Sequence, residues 1–181
     1  AASGTLEGWV LSDYNQTATH ELSIGETIDL ITPSKTGYNF KGWATRDGAT
    51  VSDYEGNTYT PTSAENQIFY LHAVWEVIPY DVTIYYQSEN TSEEFALCGK
   101  DFTVLINGVA DTINGDTITG SYDYGTTFEF ASNGLIIPEG FKFKDIVIRN
   151  VGEDTSETIT NLPYVFTVPN YKVEIIIRIE R

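Results

Sequence analysis

The chain has 181 residues, of which 26 are acidic and 10 are basic, so its formal net charge is −16. Hydrophobic residues make up 41% of the chain, which is enough for a packed core and excludes a wholly disordered protein. The strong negative charge excludes nucleic acids and anionic membrane surfaces as partners, because both repel an acidic protein. One cysteine and two histidines exclude an internal disulfide and argue against a structural zinc site.

Targeting and membrane signals are missing from this sequence. No apolar run approaches the roughly 18 residues that a membrane-spanning helix needs, and the first residues do not form a signal segment. Methionine is absent, so we expect the chain to be a processed or excised part of a longer, multi-domain protein.

The predicted elements are strands. Apolar and polar residues alternate at 27–31, 69–75, 80–86, 102–106, 109–113, 141–148 and 171–179. Asn107-Gly108 and Asn114-Gly115 are typical of tight hairpin turns, so residues 102–119 are predicted to form a three-stranded meander. Only residues 62–66 and 92–98 resemble short helical turns. The sequence therefore predicts an all-β or β-rich α+β protein.

The chain contains the same pattern of elements twice. Gly25 precedes Gly37 by 12 residues and Gly37 precedes Glu76 by 39, while the intervals between Gly125, Gly140 and Glu180 are 15 and 40 residues. This spacing predicts two tandem small β-sheet modules, at 1–78 and 79–181, with a stiff link near Pro79. Their net charges are −7 and −9, so neither module is a basic binding arm.

Glycines and aromatic residues form a recognisable motif in the first module. Its members are Gly37, Tyr38, Phe40, Gly42 and Trp43, followed by the closing strand residues Leu71, Ala73 and Trp75. Together with the preceding Pro-Ser-Lys-Thr lead-in, this motif resembles the Listeria–Bacteroides repeat, or internalin B-repeat, over residues 20–76. The second module keeps Gly140, Phe141 and Phe143 but has Asp145-Ile146 where the family has Gly-Trp.

The resemblance implies a small β-grasp-like module of the kind that occurs in tandem on bacterial surface proteins, where such modules act as spacers or adhesive segments. It implies no catalytic residue, metal or cofactor. We expect the motif glycines to allow positive φ or close backbone approach, and the motif aromatics to form core.

The sequence gives little support for catalysis, calcium binding or an internal crosslink. His20 and His72 have no sequence signature of a nucleophile and base, and Cys98 is expected to be a buried, inert thiol. The acidic stretch 152–157 lacks the spacing of a calcium-binding loop, and no motif indicates a lysine–asparagine crosslink. The chain is therefore predicted not to be an enzyme.

The predicted function is adhesion or spacing on the surface of a bacterial cell, outside the cell, with a host or cell-surface protein or a glycan as partner. Two alternatives stay open: a carbohydrate-binding accessory module of a secreted enzyme, and a pilus or fimbrial subunit. Exposed tyrosines on β-strands stack on sugars. The candidate ligand contacts are Tyr85, Tyr86, Tyr122 and Tyr124.

Overall fold

The computed structural model describes residues 2–3, 9–11, 17–62, 68–88, 102–113, 117–137 and 139–181. Those residues contain strands and turns and no helix, which confirms the all-β prediction. The two short helical candidates fall almost wholly outside the described residues. The chain forms two compact units, Ala1–Val77 and Ile78–Arg181.

The first unit is built from short antiparallel pairs of strands. β1 pairs with β5, β2 with β3, β4 with β7, and β6 with β8. The bounds are β1 (Ala2–Ser3), β2 (Val10–Leu11), β3 (Ala18–Thr19), β4 (Ile28–Asp29), β5 (Thr32–Pro33), β6 (Tyr38–Ala44), β7 (Thr58–Tyr59) and β8 (His72–Val77). The described residues show no more of a β-grasp arrangement than these pairs, so that assignment stays a prediction.

An extra residue interrupts the pairing of β6 with β8. Phe40 lies opposite Trp75 and Gly42 lies opposite Val74, so Lys41 is the additional residue of a β-bulge. A bulge turns the strand locally and changes which side chains share a face. After the bulge, Trp43 lies opposite Ala73 and therefore shares a face with Phe40 and Trp75.

The second unit has two sheets. A four-stranded sheet has the order β11-β10-β13-β16, and a five-stranded sheet has the order β12-β9-β17-β14-β15. The bounds are β9 (Pro79–Ser88), β10 (Phe102–Ile106), β11 (Val109–Ile113), β12 (Thr117–Asp123), β13 (Thr127–Phe130), β14 (Lys142–Asn150), β15 (Thr155–Ile159), β16 (Tyr164–Thr167) and β17 (Val173–Glu180).

One hydrophobic core fills the space between these two sheets. Phe128 and Phe130 of β13 are fully buried, as are Ile146 of β14 and Ile175 and Ile177 of β17. These residues alternate with outward-facing ones along each strand, as the period of two requires. The alternation seen in the sequence thus produces a two-layer sandwich.

The five-stranded sheet contains one parallel pair, between the first and last strands of the unit. β9 and β17 pair from Val82 with Val173 to Ser88 with Ile179. Since β9 also pairs with β12 and β17 with β14, both strands are hydrogen-bonded along both edges.

A bulge also interrupts the pairing of β14 with β17. Phe143 lies opposite Ile179 and Asp145 lies opposite Arg178, so Lys144 is the additional residue. In both units the extra residue is thus a lysine that directly follows a phenylalanine.

The predicted meander at 102–119 is only partly correct. β10 and β11 form the expected hairpin, with positive φ of 49° at Asn107 and 79° at Gly108. β12, however, pairs with β9 along all seven of its residues and belongs to the other sheet. Turn signals predict a reversal of the chain, but they do not determine which free edge the next strand joins.

Candidate functional site

The two motif glycines adopt backbone conformations that other residues rarely adopt. Gly37 has φ of 78° and is buried, and Gly42 has φ of 126°. A Cβ atom on Gly42 would lie 2.9 Å from Cβ of Ser52, so the site has no room for a side chain. Gly42 therefore has both a positive φ and a close neighbour, the side chain of Ser52, and each of these favours glycine.

The motif aromatics pack against one another on one face of β6 and β8. The Phe40 ring meets the rings of Trp43 and Trp75 edge to face, with centroids 5.3 and 5.7 Å apart. Nζ of Lys35 lies 3.8 Å from the centre of the Tyr38 ring and 5.9 Å from that of Trp75. Edge contacts and a cation over a ring both stabilise such a cluster.

The most buried side chains of this strand pair lie on the opposite face. Ala44 is fully buried and Val74 is 2% exposed, whereas Leu71, Ala73 and Trp75 are all half-buried. The aromatic face is therefore partly accessible: its motif side chains pack against one another and are also partly exposed to solvent.

A shallow groove of about 370 Å³ lies beside Trp75. Its lining combines an aromatic ring, two hydroxyl groups and an ion pair, and the lining residues are Lys41, Thr50, Val51, Ser52, Trp75 and Glu76. Nζ of Lys41, the bulge residue, lies 3.3 Å from Oε2 of Glu76. Such a surface can stack against a ring and exchange hydrogen bonds with hydroxyl groups.

A second exposed surface of the first unit, which we call the aromatic patch, consists of Tyr59, Ile68, Phe69 and Tyr70. The rings of Tyr59 and Phe69 are stacked with centroids 4.6 Å apart and an interplanar angle of 7°. Ile68, Phe69 and Tyr70 are 76%, 46% and 62% exposed. Exposed apolar residues that adjoin one another are typical of contact surfaces. The sequence offered Phe69 only as part of a strand.

The four predicted ligand tyrosines do not share one surface. Tyr86 and Tyr122 pack against the core of the second unit, and the Tyr122 ring meets that of Phe128 at 4.8 Å. Tyr85 points to the other face of the five-stranded sheet, because successive strand residues alternate. Tyr124 follows β12, where its backbone N–H donates to the carbonyl of Ile78 at 3.0 Å.

Burial perturbs two of these phenols. It raises the pKa of Tyr86 to about 12, although the backbone of Ile136 acts in the opposite direction. Burial also raises the pKa of Tyr85, with a further rise from the negative charge of Glu174 and an opposing effect of Arg149. Tyr86 therefore behaves as a structural group, because its hydroxyl is removed from solvent.

The histidines do not form a catalytic arrangement in the described part of the chain. Nδ1 of His20 lies 2.8 Å from the carbonyl oxygen of Glu21, and Nδ1 of His72 lies 3.6 Å from Oδ1 of Asp47. Neither is hydrogen-bonded to a hydroxyl or thiol there. Cys98 lies outside the described residues.

No group of three potential metal ligands occurs within the described ranges. The acidic stretch 152–157 forms the turn between β14 and β15 together with the start of β15. In that turn, Oδ1 of Asp154 accepts a hydrogen bond from Nη2 of Arg149 at 2.9 Å. The carboxylate is thus held by a cation of its own chain.

Charged side chains form cross-strand pairs on the face of the five-stranded sheet that points away from the core. Nζ of Lys172 lies 3.1 Å from Oδ2 of Asp81, and Nη1 of Arg149 lies 3.3 Å from Oε2 of Glu174. Arg178 binds Asp145, which is only 4% exposed. That last pair was not predicted from the sequence, although one acidic residue in the apolar strand 141–148 and one arginine in the strand 171–179 were a usable signal.

Several solved structures align with much of this chain at low sequence identity and with low TM-scores. The major pilin T3.2 of Streptococcus pyogenes aligns with 84% of this chain and 65% of its own at 12% identity and a TM-score of 0.37. The pilin T-13 of the same species aligns with 84% and 64% at 10% identity and 0.40. An adhesin of Mobiluncus mulieris, described as containing intramolecular disulfide, isopeptide and ester cross-links, aligns with 74% and 55% at 15% identity and 0.39.

The chain thus spans about 55 to 65% of the length of those proteins. None of the described segments of this chain is a helix long and apolar enough to cross a membrane. No curated protein matches the sequence significantly. A protein family does match: residues 5–70 fit the Listeria-Bacteroides repeat domain. Residues 5–70 of the first unit thus match this repeat domain, as the motif around Gly37 and Trp43 predicted.

Proposed function

We propose that the chain is a non-catalytic pair of tandem repeat modules from a bacterial cell-surface or secreted protein, acting in adhesion or as a spacer. The observation that carries the proposal is the repeat match at residues 5–70, and the second unit repeats the bulged register of β6 with β8 in its pairing of β14 with β17. Tandem β modules of this kind serve to extend a chain and to present surfaces.

The bulge supports a common origin of the two units. If Phe40 is equated with Phe143, then Lys41 matches Lys144, and both are the extra residue of a bulge. The partners also correspond, because Trp75 and Ile179 occupy the same position before the closing glutamates, Glu76 and Glu180. Bulges are retained features of a fold, so this agreement supports duplication.

The turns just before β4 and β13 support the same correspondence. Gly25 and Gly125 have φ of 79° and 86°. The N–H of Gly25 donates to the carbonyl of Pro61, and the N–H of Gly125 donates to that of Val168, each at 3.0 Å. Pro61 lies two residues after Tyr59, the partner of Ile28, and Val168 lies two residues after Phe166, the partner of Phe128.

The aromatic patch supports an adhesive role for the first unit. It exposes Ile68, Phe69 and Tyr70 next to the stacked ring of Tyr59. Aromatic residues are enriched where proteins make contacts because they supply large area at low entropic cost. A protein surface of a host or neighbouring cell is the partner that such an apolar patch fits.

The test is to display the full chain on bacteria between a wall anchor and a reporter domain. Adhesion predicts that Phe69→Ser with Tyr70→Ser lowers cell binding, whereas Val109→Ser, which alters an even more exposed apolar residue in the second unit, does not. Spacing predicts that deleting the chain hides the reporter from antibody. If neither cell binding nor reporter access changes, the proposal is wrong.

The groove beside Trp75 favours a second candidate function, glycan binding. It places a ring, two hydroxyls and the Lys41–Glu76 pair around one depression. Binding on a glycan array should weaken in Glu76→Gln, which keeps the shape of the side chain. The matched control is Glu55→Gln, which removes the same charge from an exposed residue outside the groove lining. Absence of binding to every glycan would exclude this candidate.

A further inference from the structure

We propose that the second unit withstands mechanical tension, because the parallel ladder between β9 and β17 resists force along the chain. The inference rests on the proposed function, because a module experiences tension only when it links an anchor to a distal contact. It adds a mechanical role that neither the repeat family nor the described surfaces imply.

The topology of the unit carries the inference. β9 is the first strand of the unit and β17 is the last, and they are neighbours over seven residue pairs, from Val82–Val173 to Ser88–Ile179. At about 3.3 Å per residue, the paired length is about 20 Å. Because the strands are parallel, the entry of β9 and the exit of β17 lie at opposite ends of the ladder.

Tension applied at these two ends acts along the strands. Force that enters at Pro79 and leaves at Arg181 makes β9 and β17 slide past each other. The evenly spaced hydrogen bonds of a parallel pair then share the load. If both attachment points lay at one end of the ladder, the same bonds would break one after another, at lower force.

The surroundings of β17 prevent it from leaving by another route. Its other edge pairs with β14 over eight residues, from Lys142–Glu180 to Asn150–Val173. Val173, Ile175, Ile177 and Ile179 are fully buried on the core face. Water therefore has little access to that side of the ladder, and hydrogen bonds are stronger where the local dielectric is low.

The backbone hydrogen bonds between β9 and β17, more than the ion pair between them, must resist the tension. Lys172 and Asp81 link the two strands at 3.1 Å, but their side chains are 54% and 46% exposed. Exposed pairs of this kind contribute little stability. The order of the strands is therefore the feature to test.

The experiment compares two pulling geometries on the same full-length protein by single-molecule force spectroscopy. All variants carry Cys98→Ser, so that handles attach only at introduced cysteines. The first variant has Pro79→Cys and Arg181→Cys, which loads the ladder along its length. The second has Gln87→Cys and Arg181→Cys, whose attachment points lie at the same end of the ladder. Pro79, Gln87 and Arg181 are all exposed.

The lengthwise geometry should need a several-fold higher unfolding force at the same loading rate. The event is identified by its length, since about 100 residues release about 350 Å of chain. A third variant, Pro79→Cys with Lys172→Cys, opens the ladder from its other end and should also be weak. It replaces the second variant if circular dichroism shows that the second is not folded.

If the lengthwise geometry unfolds at a force equal to or lower than that of the other geometry, the proposed resistance of the β9–β17 ladder to tension is wrong. That result would leave the proposed function intact if the displayed chain still bound cells or extended the reporter. Conversely, the lengthwise geometry could require the higher force in a chain that neither binds cells nor extends the reporter. That result would support the mechanical role of the ladder and overturn the proposed function.

Discussion

Nε and Nη2 of Arg178 lie 2.6 Å from Oδ1 and Oδ2 of Asp145, so the guanidinium holds the buried carboxylate with two hydrogen bonds. At the corresponding positions of the first unit, Val74 lies opposite Gly42 and no charge is present. The second unit therefore has a charge pair between β14 and β17 at the place where the first unit pairs a glycine with a valine.

Removing one partner of this pair should be costly. Arg178→Val leaves the Asp145 carboxylate buried without its cation, and we expect a loss of about 3 kcal/mol in the free energy of unfolding. The double variant Asp145→Ala with Arg178→Val should recover part of that loss, because it removes the buried charge as well. Urea unfolding followed by circular dichroism measures both, and additive losses would show that the two side chains do not interact.

Gly42→Ala should destabilise the first unit by about 3 kcal/mol, because strain from the positive φ adds to the contact with Ser52. Gly48 is the matched control, since its φ is also positive, at 69°, but no atom lies within 4 Å of the Cβ position. Gly48→Ala should therefore cost less. All three tryptophans, Trp9, Trp43 and Trp75, lie in the first unit, so their fluorescence reports its unfolding.

Adding Ser52→Gly to Gly42→Ala tests the steric part of that cost. The second change removes the atom that the new methyl group would meet, so the midpoint of the fluorescence transition should rise part of the way back. No recovery would mean that backbone strain alone causes the loss.

The first unit should unfold before the second. Among the described residues, three buried hydrophobics lie in the first unit, Ile31, Ala44 and Val74, against fifteen in the second. Fewer buried contacts allow local opening at lower free energy. On heating, tryptophan fluorescence should therefore change at a lower temperature than far-ultraviolet circular dichroism. Coincident transitions would show that the chain unfolds as one cooperative unit.

Tyr86 should make the second unit sensitive to alkaline pH. Its pKa is raised to about 12 in the folded protein, above the value of 10.0 for a free phenol, so the neutral form is favoured by folding. That contribution is fully present below pH 10 and is lost as the pH rises from about 10 to about 12. At pH 11 the loss is on the order of 1 kcal/mol, because the folded and unfolded pKa values lie on either side of that pH.

Tyr86→Phe removes the titrating group, so its stability should fall less between pH 8 and pH 11 than that of the unchanged protein. At pH 8 the phenol is neutral in both the folded and the unfolded chain, so its ionisation does not affect stability there. Urea unfolding at the two pH values measures the difference. An equal pH dependence in the two proteins would assign the alkaline effect to other tyrosines.

The sequence predicted the strands far better than their partners. Alternating residues located β9, β14 and β17 closely, because a half-buried strand imposes a period of two on its own residues. Sheet order depends on contacts between distant segments. The pairing of β12 with β9 was therefore not predictable from the Asn114-Gly115 turn signal in the sequence. The family motif located the repeat, since its glycines are required by local backbone geometry.

The surfaces were less accessible to sequence reasoning. Tyr86 and Tyr122 were selected by residue type, and only the alternation along β9 and β12 decides that both pack against the core. Exposure of Phe69 and Tyr70 depends on what covers them in three dimensions. Tyrosine composition alone does not distinguish a contact surface from a core in a β protein.

The paired bulges have a consequence for tracing ancestry. Around the bulges, the two units share only the phenylalanine, the lysine, the preceding glycine and the closing glutamate. Sequence identity between the two units is therefore low. The one-residue offset in pairing persists because shifting it would turn every following side chain to the other face. Under the proposed duplication, offsets in strand pairing record descent after residue identity has faded, and they offer a marker for diverged copies elsewhere in such proteins.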